Sequence, residues 1–328
     1  MKRTKNTIGG KQYWYAWDSV YIDKGVSKQT TKSLGPVETS SEESIRKKEA
    51  EFLTLMEQRE ASERFKYWKK KTHDVKAFDD KVVEEIESTR ARLYRAKREL
   101  GTVAQGALDT AFLIDFIYNS NKLEGSRVPR KEVERLITEG DKKANEVNAT
   151  RKAKDYIDKK FTFTIKSLQK AQEILLFDEP SKQGIRKTPI IVGNDASVSN
   201  PSEIRRDLQK LFKWYQKESV KLYPPERAFE FYFRFEKIHP FQDGNGRIGR
   251  LVMNKILKDS KYHPIIVWNK NRKAHFGAFE RASGGYRTAI HQFMITMMLQ
   301  TYTIYLKKIE PAKTFSELVS HFLSPSDY

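Results

Sequence analysis

Residues 239–250 read His-Pro-Phe-Gln-Asp-Gly-Asn-Gly-Arg-Ile-Gly-Arg. An imidazole, a carboxylate, turn glycines and two guanidiniums in so short a run suit the phosphates of a nucleotide. His239 titrates near neutrality, so its ring can take a proton from an attacking hydroxyl. Gly244 and Gly246 permit tight backbone geometry in which successive amides converge on an anion. Asn245 is a good helix cap, and a helix starting there turns its positive end toward phosphate. Arg247 and Arg250 lie three apart on one helical face, and each can grip a phosphate through paired N–H groups. Asp243 beside such a site is costly unless a cation joins it, and Mg2+ bridging phosphates supplies one. The plainer account, a glycine turn with solvated arginines and a buried His239, leaves the coincidence of all these residues unexplained.

The flanking elements must hold this loop still. Phe229, Tyr232 and Phe235 have the spacing that seats a helix over 228–238 in a core, with Ile238 anchoring its end. Pro240 locks its φ and Phe241 is suited to burial, which together direct the chain out of His239. A second helix is expected over 245–257. Further helices are predicted over 107–123, 130–138, 146–161, 164–176 and 202–215, and over 271–308 with a break at Ser283-Gly284-Gly285. In 107–123 Asp115 is the polar exception in an apolar run. Ile290, Met294, Met297 and Met298 read as a core stripe.

Other chemistries are absent. The chain has no cysteine, which removes disulfides and a thiolate nucleophile. It has no Gly-x-x-x-x-Gly-Lys-Ser/Thr loop and no second His/Asp cluster with zinc spacing. No run of 18 apolar residues and no signal peptide is evident, so no membrane partner and a cytoplasmic location are expected. The 328 residues carry 62 Lys and Arg against 43 Asp and Glu, a net charge of +19. That balance favours anionic partners without naming one. Residues 10–36 alternate Tyr, Trp, Val and Thr around a turn at Asp23-Lys24-Gly25, which reads as a small basic β-module. Residues 41–100 are helical and highly charged, compatible with antiparallel helices or a long arm.

The 239–250 run resembles the signature of the Fic family, His-Pro-Phe-x-Asp/Glu-Gly-Asn-Gly-Arg-x-x-Arg, without a departure, and Phe233–Ile238 resembles its usual approach. The likeness covers roughly 105–300. It implies a helical core that transfers a nucleoside monophosphate, usually AMP from ATP, to a Ser, Thr or Tyr hydroxyl of a protein. By that resemblance His239 is the general base and Asp243 holds Mg2+. The amides of Gly244–Gly246 and the Asn245 side chain form the anion hole, Arg247 holds the β-phosphate region and Arg250 the γ-phosphate. The stretch Ser120-Asn121-Lys122-Leu123-Glu124-Gly125 resembles the family's inhibitory motif, Ser/Thr-x-x-x-Glu-Gly/Asn. Ser120, Glu124 and Gly125 match it, which implies that Glu124 pairs with Arg250 and displaces the γ-phosphate. Auto-AMPylation and deAMPylation are both compatible with this likeness.

The segment Lys187, Thr188, Pro189, Ile190, Ile191, Val192 is strand-like and resembles the family's target-binding flap, a hairpin edge that pairs with an extended protein segment. Gly193-Asn194 is its candidate turn. Asn269, Asn271, His275 and Tyr286 are candidates for the nucleobase or flap side, whereas His73, His263, His291 and His321 read as surface or core residues. The expected fold is mainly α: a Fic-type helical core with a β-hairpin flap, preceded by a small β-module and charged helices. Its divisions are 1–40, 41–104, 105–308 with an inhibitory helix over 105–125, and a tail over 309–328. The expected function is a self-inhibited protein adenylyltransferase using ATP and Mg2+ on a protein substrate. Another nucleotide donor, or a DNA-binding regulator carrying this domain, stands as the alternative. Nucleic acid at the basic N-terminal region and a homodimer stay open.

Overall fold

The structure, a computed structural model, describes residues 1–71, 75–140, 145–191 and 198–309. The chain divides into two compact units, Met1–Lys71 with Asp79–Leu100, and Thr72–Phe78 with Gly101–Tyr328.

The first unit opens with an antiparallel sheet of β1 (Lys2–Ile8), β2 (Lys11–Asp23) and β3 (Val26–Pro36), in that spatial order. Alternation puts Ala16, Val20, Ile22 and Leu34 on one face. There they are buried with Ile45, Phe52 and Met56 of α1 (Glu42–Trp68). Ser41 caps α1, and Asp79 caps α2 (Asp80–Glu99), each accepting a backbone N–H from its first turn. The pairs Arg64–Glu87, Arg90–Glu60 and Arg95–Glu57 run in opposite residue order, so α1 and α2 are antiparallel. The sequence reading did not find β1. Its residues Lys-Arg-Thr-Lys-Asn-Thr-Ile bury nothing deeply, so no apolar alternation marked it.

The second unit is helical: α3 (Thr102–Leu123), α4 (Arg130–Thr138), α5 (Glu146–Lys160), α6 (Ile165–Leu175), α7 (Ile204–Lys213), α8 (Pro224–Ile238), α9 (Asn245–Asp259), α10 (Arg272–Ser283) and α11 (Thr288–Ile309). Helix α8 starts on Pro224-Pro225, where missing N–H groups cost nothing. It packs on α9 through Phe229, Tyr232, Phe235, Ile248 and Val252, all at most 1% exposed. Helix α3 is apolar around much of its girth and correspondingly buried. Its exception, Asp115, accepts from Arg130 Nε at 3.0 Å and Tyr305 Oη at 2.9 Å. Residues 265–268 are buried but form no strand; the Asn254 amide bonds both backbone groups of Ile265, at 2.8 and 2.9 Å, in place of a partner strand. Gly284 and Gly285 separate α10 from α11, and Ile290, Met294, Met297 and Met298 are core. A small N-terminal sheet and a largely helical core therefore make up the fold.

Candidate active site

Helix α8 ends because His239 adopts the left-handed conformation, φ 47°. A side chain there is strained, so its neighbours must hold it. Its N–H donates to Phe235 O at 3.0 Å, and its carbonyl accepts from Arg186 Nε at 2.8 Å. Arg186 is 5% exposed. It also donates its backbone N–H to Pro240 O at 3.0 Å, Nη1 to Thr188 O at 3.0 Å and Nη2 to Ser199 O. One buried guanidinium thus ties the start of the motif to the loop before α7. The sequence reading missed Arg186, since a lone arginine outside the motif carries no local signal.

Beyond the fully buried Phe241, Asp243 Oδ1 accepts the Gly244 N–H at 2.5 Å and Arg247 Nη2 at 3.0 Å. Gly244, at φ 88°, is the residue that caps α9, a conformation that favours glycine. Asn245 was expected as the cap, with its side chain in an anion hole. Instead it is the first helical residue, and its amide clamps Phe241: Nδ2 donates to Phe241 O at 2.9 Å and Oδ1 accepts Phe241 N–H at 2.9 Å. The side chain is spent on shaping the loop. The start of α9 still faces the cleft through Gly244, Asn245 and Gly246.

Arg250 is 2% exposed and meets α3 three times. Nε donates to Ser120 Oγ at 3.1 Å, Nη2 to Ser120 O at 2.9 Å, and Nη2 to Glu124 Oε1 at 2.7 Å. Gly125, at φ 96°, follows Glu124 as the turn leaves the helix. Glu124 comes this close because Gly246 has no side chain; a Cβ there would lie 2.1 Å from Glu124 Oε1. The carboxylate is about one-third exposed at the cleft, while the guanidinium beneath it is buried.

A cleft of about 700 Å³ is lined by Glu124, Glu236, His239, Asp243, Gly244–Gly246, Arg250, Arg272 and His275, with Ile190, Ile191 and Val198 at its rim. Burial pushes His239 down to about 4, so its ring is neutral near neutral pH. Burial also pushes Glu236 up to about 8, reinforced by the Glu124 charge and opposed by Arg250. Glu236 stood in the sequence as part of the approach to the motif, but nothing local gave it a role. His275 bonds Tyr232 Oη through Nε2 at 3.2 Å, and burial lowers it to about 3. Of the other base-side candidates, Asn269 N–H donates to Asn119 Oδ1 at 2.9 Å. Asn271 Nδ2 donates to Gln300 Oε1 at 3.3 Å, and Tyr286 is 63% exposed.

Lys187, Thr188, Ile190 and Ile191 lie in irregular chain with a bend at Thr188 and no strand pairing; the nearest bridge joins Ile185 to Phe241. Ile191 is 79% exposed. Val192, Gly193 and Asn194, like His73 and His321, lie outside the described residues. His291 is a core residue, bonded to Glu230 Oε2 at 3.1 Å.

No group of three His, Cys, Asp or Glu side chains positioned for a metal exists among the described residues. The one cleft carboxylate on the loop, Asp243, is about one-third exposed. A single hard oxygen donor beside an anion cradle fits Mg2+, which keeps waters and phosphate oxygens as its remaining ligands.

The fold and this loop define the class: residues 162–257 match the Fic/DOC family. The chain therefore carries a Fic/DOC-family domain homologous to protein adenylyltransferases. It is 26% identical over 246 residues to "Protein adenylyltransferase Fic" of Drosophila melanogaster, covering 71% of this chain and 49% of that protein. The Drosophila yakuba protein of the same name is 25% identical over the same shares. The chain thus spans about half the length of the curated relatives it matches. Among solved structures, a Fic-domain-containing signaling protein from Bacteroides thetaiotaomicron superposes with a TM-score of 0.61 at 20% identity, over 68% of this chain and 96% of that one. Fic-1 of C. elegans gives 0.57 at 19%, over 68% and 71%. These likenesses carry the fold. Helices precede the matched region, and no helix among the described residues is long and apolar enough to cross a membrane.

Proposed function

We propose that this protein is a self-inhibited adenylyltransferase that moves AMP from ATP to a Ser, Thr or Tyr hydroxyl of a protein. The observation that carries this reading is the Glu124–Arg250 pair at 2.7 Å, inside a cleft that also holds a neutral His239 and the start of α9. In the productive arrangement Arg250 turns from Glu124 to the γ-phosphate, and Arg247 exchanges Asp243 for the β-phosphate. The amides at the start of α9 receive the charge that develops on the α-phosphate. His239 accepts the proton of the acceptor hydroxyl as its oxygen bonds to the α-phosphorus. The bond from that phosphorus to the β-phosphate bridging oxygen breaks, and pyrophosphate departs. Mg2+, held by Asp243 and the phosphates, would neutralise charge on the phosphate oxygens. The exposed edge at Thr188–Ile191 would hold the extended target by main-chain bonds. Reversal, with Glu124 orienting a water toward AMP on a modified target, belongs to the same reading.

The test is mass spectrometry of the Glu124→Gly protein after incubation with Mg2+ and each nucleoside triphosphate in turn. An AMP adduct formed with ATP, and only weakly by the parent, is the expected result. An adduct from another triphosphate selects another donor. Equal modification of parent and variant removes the inhibitory role of Glu124.

A further inference from the structure

One face of the N-terminal sheet is covered by α1; within that unit no described element covers the other. Cross-strand partners share a face. The central row Tyr13, Tyr15, Trp17 and Tyr21 is therefore flanked by Thr4 opposite Tyr15 and Lys2 opposite Trp17 on β1. On β3, Thr31 stands opposite Trp17 and Gln29 opposite Ser19. These flanking groups are exposed or half-exposed.

The charges sort by face. On the helix side Arg3 pairs with Glu49 at 2.9 Å, Lys32 with Glu51 at 2.8 Å, and Lys28 with Glu63. The sheet's own carboxylates turn the same way. Asp18 takes the N-terminal ammonium at 2.7 Å, and Asp23, past a register shift, accepts from Tyr67 of α1 at 3.0 Å. The open face keeps Lys2 and hydroxyl and amide groups but no carboxylate. Lys11 and Lys24 sit exposed at the two opposite hairpin ends.

We infer that this open sheet face docks duplex DNA, lying in the major groove. Two strands about 4.8 Å apart make the ribbon that a groove about 12 Å wide admits, with the third strand toward a phosphate edge. Flanking lysines suit phosphates, and Thr, Gln and Tyr side chains suit base edges. Stacking on unpaired bases is the weaker fit: Lys2 Nζ lies over Trp17, 5.0 Å from the ring centroid, and the tyrosines are half-buried.

The experiment is fluorescence anisotropy of the full chain with a labelled mixed-sequence duplex of about two helical turns, from low to physiological salt. Saturable binding that weakens steeply with salt is expected. The Lys2→Glu/Thr31→Glu protein should lose at least about tenfold in affinity and about one in salt slope. Lys170→Glu, on exposed α6 surface, should change neither. Circular dichroism confirms that the variants fold. Parent-like binding by the double variant overturns the proposal, as does absence of binding at low salt. So does a single strand of the same sequence that binds as tightly as the duplex.

Discussion

The Glu236 carboxylate lies 3.7 Å from His239 Nδ1, and Glu236 Oε1 has no hydrogen-bond partner among the described residues. Both groups are buried, and burial drives them in opposite senses, Glu236 up to about 8 and His239 down to about 4. Near neutral pH the site therefore holds a neutral acid beside a neutral base. Gly249 makes the arrangement possible, because a Cβ there would come within 2.9 Å of Glu236 Oε1.

Glu236 should lower stability with rising pH. Its folded pKa lies above the unfolded carboxylate value, so the stability of the protonated form is complete below about 4.3 and is lost as pH rises through about 8. Glu236→Gln cannot ionise. Its melting temperature should exceed the parent's by a margin that widens from pH 5 to pH 8, measured by thermal denaturation in matched buffers. A constant margin would falsify the assignment.

If Glu124 restrains Arg250 as proposed, Ser120→Ala should partly release that restraint. It deletes the 3.1 Å bond to Arg250 Nε while leaving the Ser120 carbonyl and Glu124 in place. A hydrogen bond to a charged group contributes about 1.5–3 kcal/mol. Auto-modification should rise about tenfold, short of the rise in Glu124→Gly. Initial rates with labelled ATP measure both, and a Ser120→Ala rate equal to the parent's would mean Glu124 restrains Arg250 alone.

In the Glu124→Gly background, His239→Ala should cut transfer by about 10²–10⁴, the usual share of general-base catalysis. ATP affinity, read by calorimetry, should change little, because the proposed function assigns the phosphates to the loop amides and arginines. Transfer at the unmutated rate would dismiss His239 as the base.

In the N-terminal unit, Arg64 Nε meets Glu87 Oε2 at 2.5 Å, with both side chains at most 1% exposed, and Arg90 shares that oxygen at 3.4 Å. Glu87→Ala leaves two buried guanidiniums short of their common carboxylate and should cost about 3–5 kcal/mol. Urea denaturation followed by tryptophan fluorescence checks this. A loss below about 1 kcal/mol would mean water or other partners compensate.

Much of the candidate site was written locally. Histidine, aspartate, glycines and arginines within one turn-and-helix segment can be read together because chain connectivity alone keeps them close. The same holds for Ser120 and Glu124, which helical spacing places one turn apart. Apolar residues at helical spacing marked α3, α8 and α11 for the same reason, while β1, with no buried face, left no such trace.

Tertiary packing decided the rest. Spacing alone could not bring Ser120 against Arg250, 130 residues on, or make Arg186 the anchor of the strained His239. It could not assign the Asn245 amide to Phe241 rather than to an anion, since capping and loop-clamping use the same side chain. Nor could it set the protonation of Glu236 and His239. Residue type fixes a group's intrinsic affinity for a proton, but the loss of water around it depends on which distant helices close over it.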